Sequence, residues 1–126
     1  MADQVVSSGA SPSGEGVEAL ARQYLAHFEA HEIGPCMEFF TEDSTVEFMG
    51  QFRGLKDIEE WHKARFAAGL KMVRLDRVTA SGNEVVLEGA ATSARLRAWR
   101  IKSVNGKVTA RFDGNKIKTL SFAVRS

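Results

Sequence analysis

The chain has 126 residues, enough for one domain with a single core, and its 17 basic and 16 acidic residues leave a formal charge of +1. Charges of both signs are intermixed, so no basic block points to nucleic acid and no acidic tail to a charged partner. Apolar runs of only a few residues exclude a membrane-spanning helix. The lone cysteine, Cys36, excludes an internal disulfide and fits a reducing, cytoplasmic setting.

Residues 1–16 are rich in Ser, Gly and Pro and lack the basic start and long apolar core of a secretory signal. They read as a disordered leader ahead of one domain over 17–126. Val17, Leu20, Ala21, Tyr24, Phe28 and His31 recur at three- and four-residue steps, which predicts a helix over 17–31 with one buried stripe. Tyr24 lies at the centre of that stripe, and a buried tyrosine hydroxyl needs a partner. Either the backbone supplies it or the hydroxyl faces a cavity.

Ile33 and Gly34 close the following turn, and Pro35 suits the first position of a short second helix that ends near Phe40. Thr45–Met49 and Gln51–Arg53 predict a hairpin about Gly50. A third helix runs from about Leu55 to Phe66, with Asp57 and Glu60 early, where they complement the helix dipole. Its inner face is Leu55, Ile58, Trp61, His62 and Arg65, a stripe that becomes polar toward the C-terminal end. From Lys71 the period changes to two: Lys71–Ala80 is a strand, Ser81-Gly82-Asn83 a tight turn and Glu84–Ala91 a second strand. Thr92–Val104 either extends that strand or crosses one end of the sheet as a short helix or loop, and the crossing is the favoured expectation. Asn105-Gly106 signals a turn, and Lys107–Phe112 and Lys116–Arg125 form a hairpin about Asp113-Gly114-Asn115. Three N-terminal helices before an antiparallel meander predict an α+β fold, with the helices on one face of a curved, mostly antiparallel sheet.

The runs Arg22-Gln23-Tyr24-Leu25-Ala26 and Phe39-Phe40-Thr41-Glu42-Asp43-Ser44-Thr45-Val46-Glu47 resemble the start of the nuclear transport factor 2-like superfamily. Gly54, Ile58 and Trp61 are similar to its third-helix pattern, and Phe112-Asp113-Gly114-Asn115-Lys116-Ile117 to its terminal hairpin. The SnoaL-like and ketosteroid isomerase-like branches are the ones resembled. The resemblance implies a cystatin-like conical barrel, a homodimer, and a deep apolar pocket between the helices and the concave sheet. In the ketosteroid isomerase pattern Tyr24 falls at the oxyanion donor, while the general-base aspartate falls on Phe48 and the second donor near Val108. Glu47 is no substitute base, because adjacent strand residues point to opposite faces. The acid of the epoxide-hydrolase branch falls on Phe122.

His27 and His31 have a metal-ligand spacing, but no accompanying motif supplies further ligands, and the expectation is no metal and no cofactor. Cys36 is expected to be a small core residue, and a Cys36–His62 nucleophilic pair requires the fold to bring them together. Arg95, Arg97, Arg100 and Trp99 form either a solvated loop or a lid whose arginine meets an acidic ligand group.

Together these readings describe a small-molecule-binding domain without the ketosteroid isomerase base. Tyr24 is the expected polar contact, Phe28, Phe40, Phe48, Trp61 and Phe112 the wall, and Trp99 the rim. Two alternatives stand beside it. One is an isomerase, cyclase or hydrolase on a polyketide- or terpenoid-like substrate, with Tyr24 donating and His27, His62, Asp76 or Glu88 as base. The other is a dimerisation or scaffold module whose pocket is filled by its own aromatics.

Overall fold

The computed structural model of the chain describes residues 14–124, so all but the end of the expected leader lies outside the described residues. Four helices and six strands follow in the order α1 (Gly14–Glu29), α2 (Ile33–Met37), β1 (Thr45–Glu47), β2 (Gln51–Arg53), α3 (Gly54–Ala67), β3 (Lys71–Ser81), β4 (Glu84–Thr92), α4 (Ala94–Ala98), β5 (Val104–Asp113) and β6 (Lys116–Val124). One sheet takes all six strands in the order β2-β1-β6-β5-β4-β3, and β2 and β3 do not meet to close it. Every pairing is antiparallel except β1 with β6. This is the curved, unclosed α+β arrangement with helices against one sheet face.

Helix α1 begins at Gly14, inside the expected leader, and buries Val17, Ala21, Tyr24 and Phe28. It ends two residues short of the apolar stripe. His31 adopts a left-handed φ of 57°. The His31 amide bonds to Phe28 O at 3.0 Å and the Glu32 amide to His27 O at 3.0 Å, the pair of bonds that closes a helix in a Schellman motif. His31 is therefore outside the helix, exposed, and stacked on Phe66 with 4.6 Å between ring centroids. Helix α2 starts at Ile33, two residues before the expected position. Pro35 is still harmless there, because the first amide to bond back is that of Cys36, to Glu32 O at 3.1 Å.

Helix α3 carries no cap from its own N-cap residue, Arg53. Glu42, from the preceding loop, accepts the Leu55 amide at 2.7 Å and places an acceptor at the positive end of the helix. At the far end Gly69, with φ 69°, closes a second Schellman turn through Leu70 N–H to Arg65 O at 3.1 Å.

The segment 92–104 contains the short helix α4, capped by the Ser93 hydroxyl, and the Ala94 amide ties it to Ala68 O at 2.9 Å. The expected turn at Asn105-Gly106 is absent: both residues lie inside β5, Asn105 opposite Ala90 and Gly106 opposite Gly89. Bare backbone explains the pair better than a turn. The β3 strand is irregular beside this point, and a Cβ on Gly89 would meet the Arg74 carbonyl oxygen at 2.1 Å. The glycines mark close approach of strands where the sheet bends.

Directly paired residues share a sheet face, and alternate residues along a strand change face. On the face toward the helices, Val46, Leu120, Ala110 and Val85 form one row and are at most 2 % exposed. The next row along the strands is Phe48, Phe122, Val108 and Leu87, of which only Leu87 is fully buried. Beyond it come Val124, Gly106, Gly89 and Leu75, where Leu75 is 36 % and Val124 78 % exposed. The inner face thus passes from a sealed row, through a half-buried one, to a row exposed at its two ends with Gly89 between them still buried. The opposite face is polar, with a Ser121 hydroxyl donating to Glu47 at 2.8 Å and an Arg111–Glu84 ion pair at 2.8 Å.

Candidate functional site

Between them, α1 and α3 bring two polar side chains together in an aromatic surround. The Tyr24 hydroxyl and His62 Nε2 are 2.7 Å apart, and His62 Nδ1 lies 2.8 Å from Ile58 O. A carbonyl oxygen only accepts, so Nδ1 carries the proton and Nε2 is left to accept from the Tyr24 O–H. Tyr24 is 5 % and His62 0 % exposed. Phe28, Phe40, Trp61 and Phe66 all place rings within 6 Å of the imidazole.

Burial explains the ionisation of both groups. It lowers the His62 pKa below its ordinary 6.5, with the Ile58 hydrogen bond acting in the other direction. It raises the Tyr24 pKa well above 10, helped by proximity to Cys36. The pair is a neutral donor on a neutral acceptor. Neither of the partners expected for the tyrosine, backbone or ligand, holds its proton; a side chain of another helix does.

Cys36 is fully buried, and burial followed by the Glu32 charge pushes its thiol up to about 12. It is a neutral core thiol. Since both nitrogens of His62 are already bonded, no Cys36–His62 nucleophilic pair forms. His27 Nδ1 donates to Glu32 at 2.6 Å on the surface. Among the described residues no three His, Cys, Asp or Glu side chains are placed to share a metal ion.

A second constellation lies on the same helix, toward the open side. The Trp61 indole sits among Phe28, Phe48 and Phe122, at centroid distances of 6.0, 5.7 and 5.2 Å. Arg65, one turn on, places its guanidinium 4.9 Å from the Phe48 ring centroid. Both residues bury a donor that has no hydrogen-bond partner among the described residues: Trp61 Nε1 and Arg65 Nε. Trp61 is 2 % exposed. Unpaired buried donors are rare in folded proteins because each forfeits its bonds to water.

The expected site residues therefore separate. Tyr24, Phe28, Phe40 and Phe112 form the packed layer, all at most 6 % exposed, while Phe48 and Trp61 border the half-exposed inner face. Trp99 caps the C-terminal end of α4, is 64 % exposed, and holds Arg95 at 6.0 Å from its ring. Arg65 and Phe122 were not among the expected ligand contacts. Their signals were present: a charged residue on the inner stripe of α3, and an aromatic where a related enzyme branch has an acid. A separate surface depression of about 220 Å³, bordered by Thr41, Asp43, Asp113, Lys116, Ile117 and Lys118, lies at the sealed end and is polar.

Comparison with known proteins places this geometry in a family. Residues 21–119 match the SnoaL-like domain, and the chain belongs to that family. Similar solved structures include a candidate ketosteroid isomerase from Kribbella flavida DSM 17836, at TM-score 0.75 and 15% identity over 90% of this chain and 80% of that one. A candidate SnoaL-like polyketide cyclase from Shewanella denitrificans OS-217 is similar at TM-score 0.75 and 13% identity, covering 86% of this chain and 90% of the other. A cystatin-like-fold protein of unknown function from Methylobium petroleophilum PM1 gives TM-score 0.73 and 17% identity over 93% and 80%. At these identities the likeness is one of fold. No curated protein matches the chain at a significant level. Among the described residues no helix is long and apolar enough to cross a membrane.

Proposed function

We propose that this SnoaL-like domain binds a small hydrophobic or aromatic molecule on the open part of its inner face, against Phe48, Trp61 and Phe122. The observation that carries the reading is the exposure gradient along that face. Val46 and Leu120 are sealed at 0 %, whereas Phe48, Val108 and Phe122 face inward yet stay only partly buried. Apolar side chains on a concave face, left half wet, gain from a molecule that completes their burial, by about 25 cal/mol for each Å² covered. Tyr24 stands behind this wall and holds the packed layer in place through His62. The expectation of a homodimer is retained as part of the proposal, and sedimentation equilibrium at twice the chain mass is its expected result.

Titration with the neutral fluorescent probe N-phenyl-1-naphthylamine tests the reading. A saturable fluorescence rise is expected in the parent chain and its loss in Phe122→Asp, with the variant's melting curve confirming that it folds. No saturable rise, or an unchanged rise in Phe122→Asp, contradicts the proposal.

A second reading, catalysis on a polyketide- or terpenoid-like substrate, rests on the neutral imidazole 2.7 Å from the Tyr24 hydroxyl. It requires His62 Nε2 to give up its hydrogen bond from the Tyr24 hydroxyl and take a proton from substrate. The full set of bonds at His62 weighs against this, as does the ring of aromatic side chains around it.

A further inference from the structure

We infer that the ligand of this inner face carries a carboxylate, received by Trp61 Nε1 and the guanidinium of Arg65. The inference rests on the reading that the face holds a small apolar molecule, and it specifies that molecule's polar end.

Trp61 and Arg65 are four residues apart on α3 and so lie on one side of the helix. Phe48 confirms it, since both residues contact its ring. The indole N–H is buried in a residue 2 % exposed and has no acceptor among the described residues, and Arg65 Nε is likewise buried without one. Arg65 also differs from the chain's paired arginines. Arg22, Arg74 and Arg111 each hold a carboxylate, whereas Arg65 has no ion pair among the described residues. A partly buried cation beside an unpartnered donor, rimmed by aromatic rings, is arranged for an anion with two oxygens. A carboxylate accepts from the planar guanidinium and offers its second oxygen to the indole. The apolar remainder of such a ligand then lies along Phe48 and Phe122.

The test compares 2-naphthoate with its neutral analogue 2-naphthamide by calorimetric titration of the full chain. The parent is expected to prefer the carboxylate by about tenfold, the scale of one hydrogen bond to a charged partner. Arg65→Gln is expected to bring both probes to the amide's affinity, and Arg65→Lys to restore part of the preference. Trp61→Phe keeps the ring and is expected to weaken both probes about fivefold, since each has a carbonyl oxygen. Circular dichroism of each variant checks folding. Equal affinities in the parent, or a preference that survives Arg65→Gln but falls in Arg97→Gln, overturn the carboxylate assignment and leave the apolar reading standing. Failure of both naphthyl probes and of N-phenyl-1-naphthylamine to bind overturns the two together.

Discussion

Helix α3 presents two polar pairs to the interior, and they are finished differently. Ile58 and His62 belong to a closed set: the imidazole donates to Ile58 O and accepts from Tyr24, so each polar atom has its partner. Trp61 and Arg65 belong to an open set, in which two buried donors have none among the described residues. The first pair is enclosed by Tyr24, Phe28, Phe40 and Phe66, whereas Trp61 and Arg65 both meet Phe48 of the half-exposed row. Polar groups satisfied inside the protein stabilise the fold and leave nothing for a ligand. Polar groups left unsatisfied lower stability and persist where something else completes them. The contrast separates the part of this interior that holds the domain together from the part that is available.

The largest effect expected to sharpen this contrast comes from paired truncations. Phe112→Ala, at a residue 2 % exposed in the sealed layer, is expected to cost about 3–5 kcal/mol in urea unfolding without changing probe affinity in the folded fraction. Phe122→Ala, at the open row, is expected to cost less than half of that and to lose probe binding. The reverse pattern would break the comparison.

Next in size is Tyr24→Phe, which leaves His62 Nε2 buried without a donor and is expected to cost about 1–3 kcal/mol. Affinity for 2-naphthoate should stay within twofold of the parent, an outcome calorimetry can read. A large loss of affinity with little loss of stability would place Tyr24 in the ligand's first layer of contacts instead.

The pH dependence of stability follows from His62. Its folded pKa is lowered below the ordinary 6.5, so on acidification the unfolded chain takes up the proton first. The contribution is fully present above pH 6.5 and falls as pH drops toward the folded value. Urea midpoints should decline from pH 7 to pH 5 in the parent and decline less in His62→Gln. Identical slopes would remove His62 as the cause.

The smallest expected change is at Glu42. Glu42→Ala removes the acceptor for the Leu55 amide at the start of α3 and is expected to cost about 1 kcal/mol in thermal unfolding, with binding unchanged.

Much of this fold was legible in the order of residues. The three-four spacing of Val17, Ala21, Tyr24 and Phe28 and the alternation from Lys71 onward are local signals, and the elements they predict are present. Asn105-Gly106 misled because the same dipeptide serves a tight turn and a close strand contact, and only the partner Gly89 distinguishes them. The site was half legible. Tyr24 and His62 were both assigned to inner faces, yet their hydrogen bond joins residues 38 apart and depends on how two helices cross. Arg65 was visible as a charge on an apolar stripe. What the sequence does not display is that no carboxylate among the described residues comes to meet it, which is a property of the packed molecule.

The most direct test of the account is a proton–nitrogen correlation spectrum of the chain, which contains two indole N–H signals, from Trp61 and Trp99. They can be assigned with Trp99→Phe. On addition of 2-naphthoate the account predicts that the Trp61 signal moves downfield as its N–H gains an acceptor, while that of the exposed Trp99 stays in place. A spectrum in which Trp99 alone responds, or in which the probe binds and the Trp61 signal does not move, would contradict it.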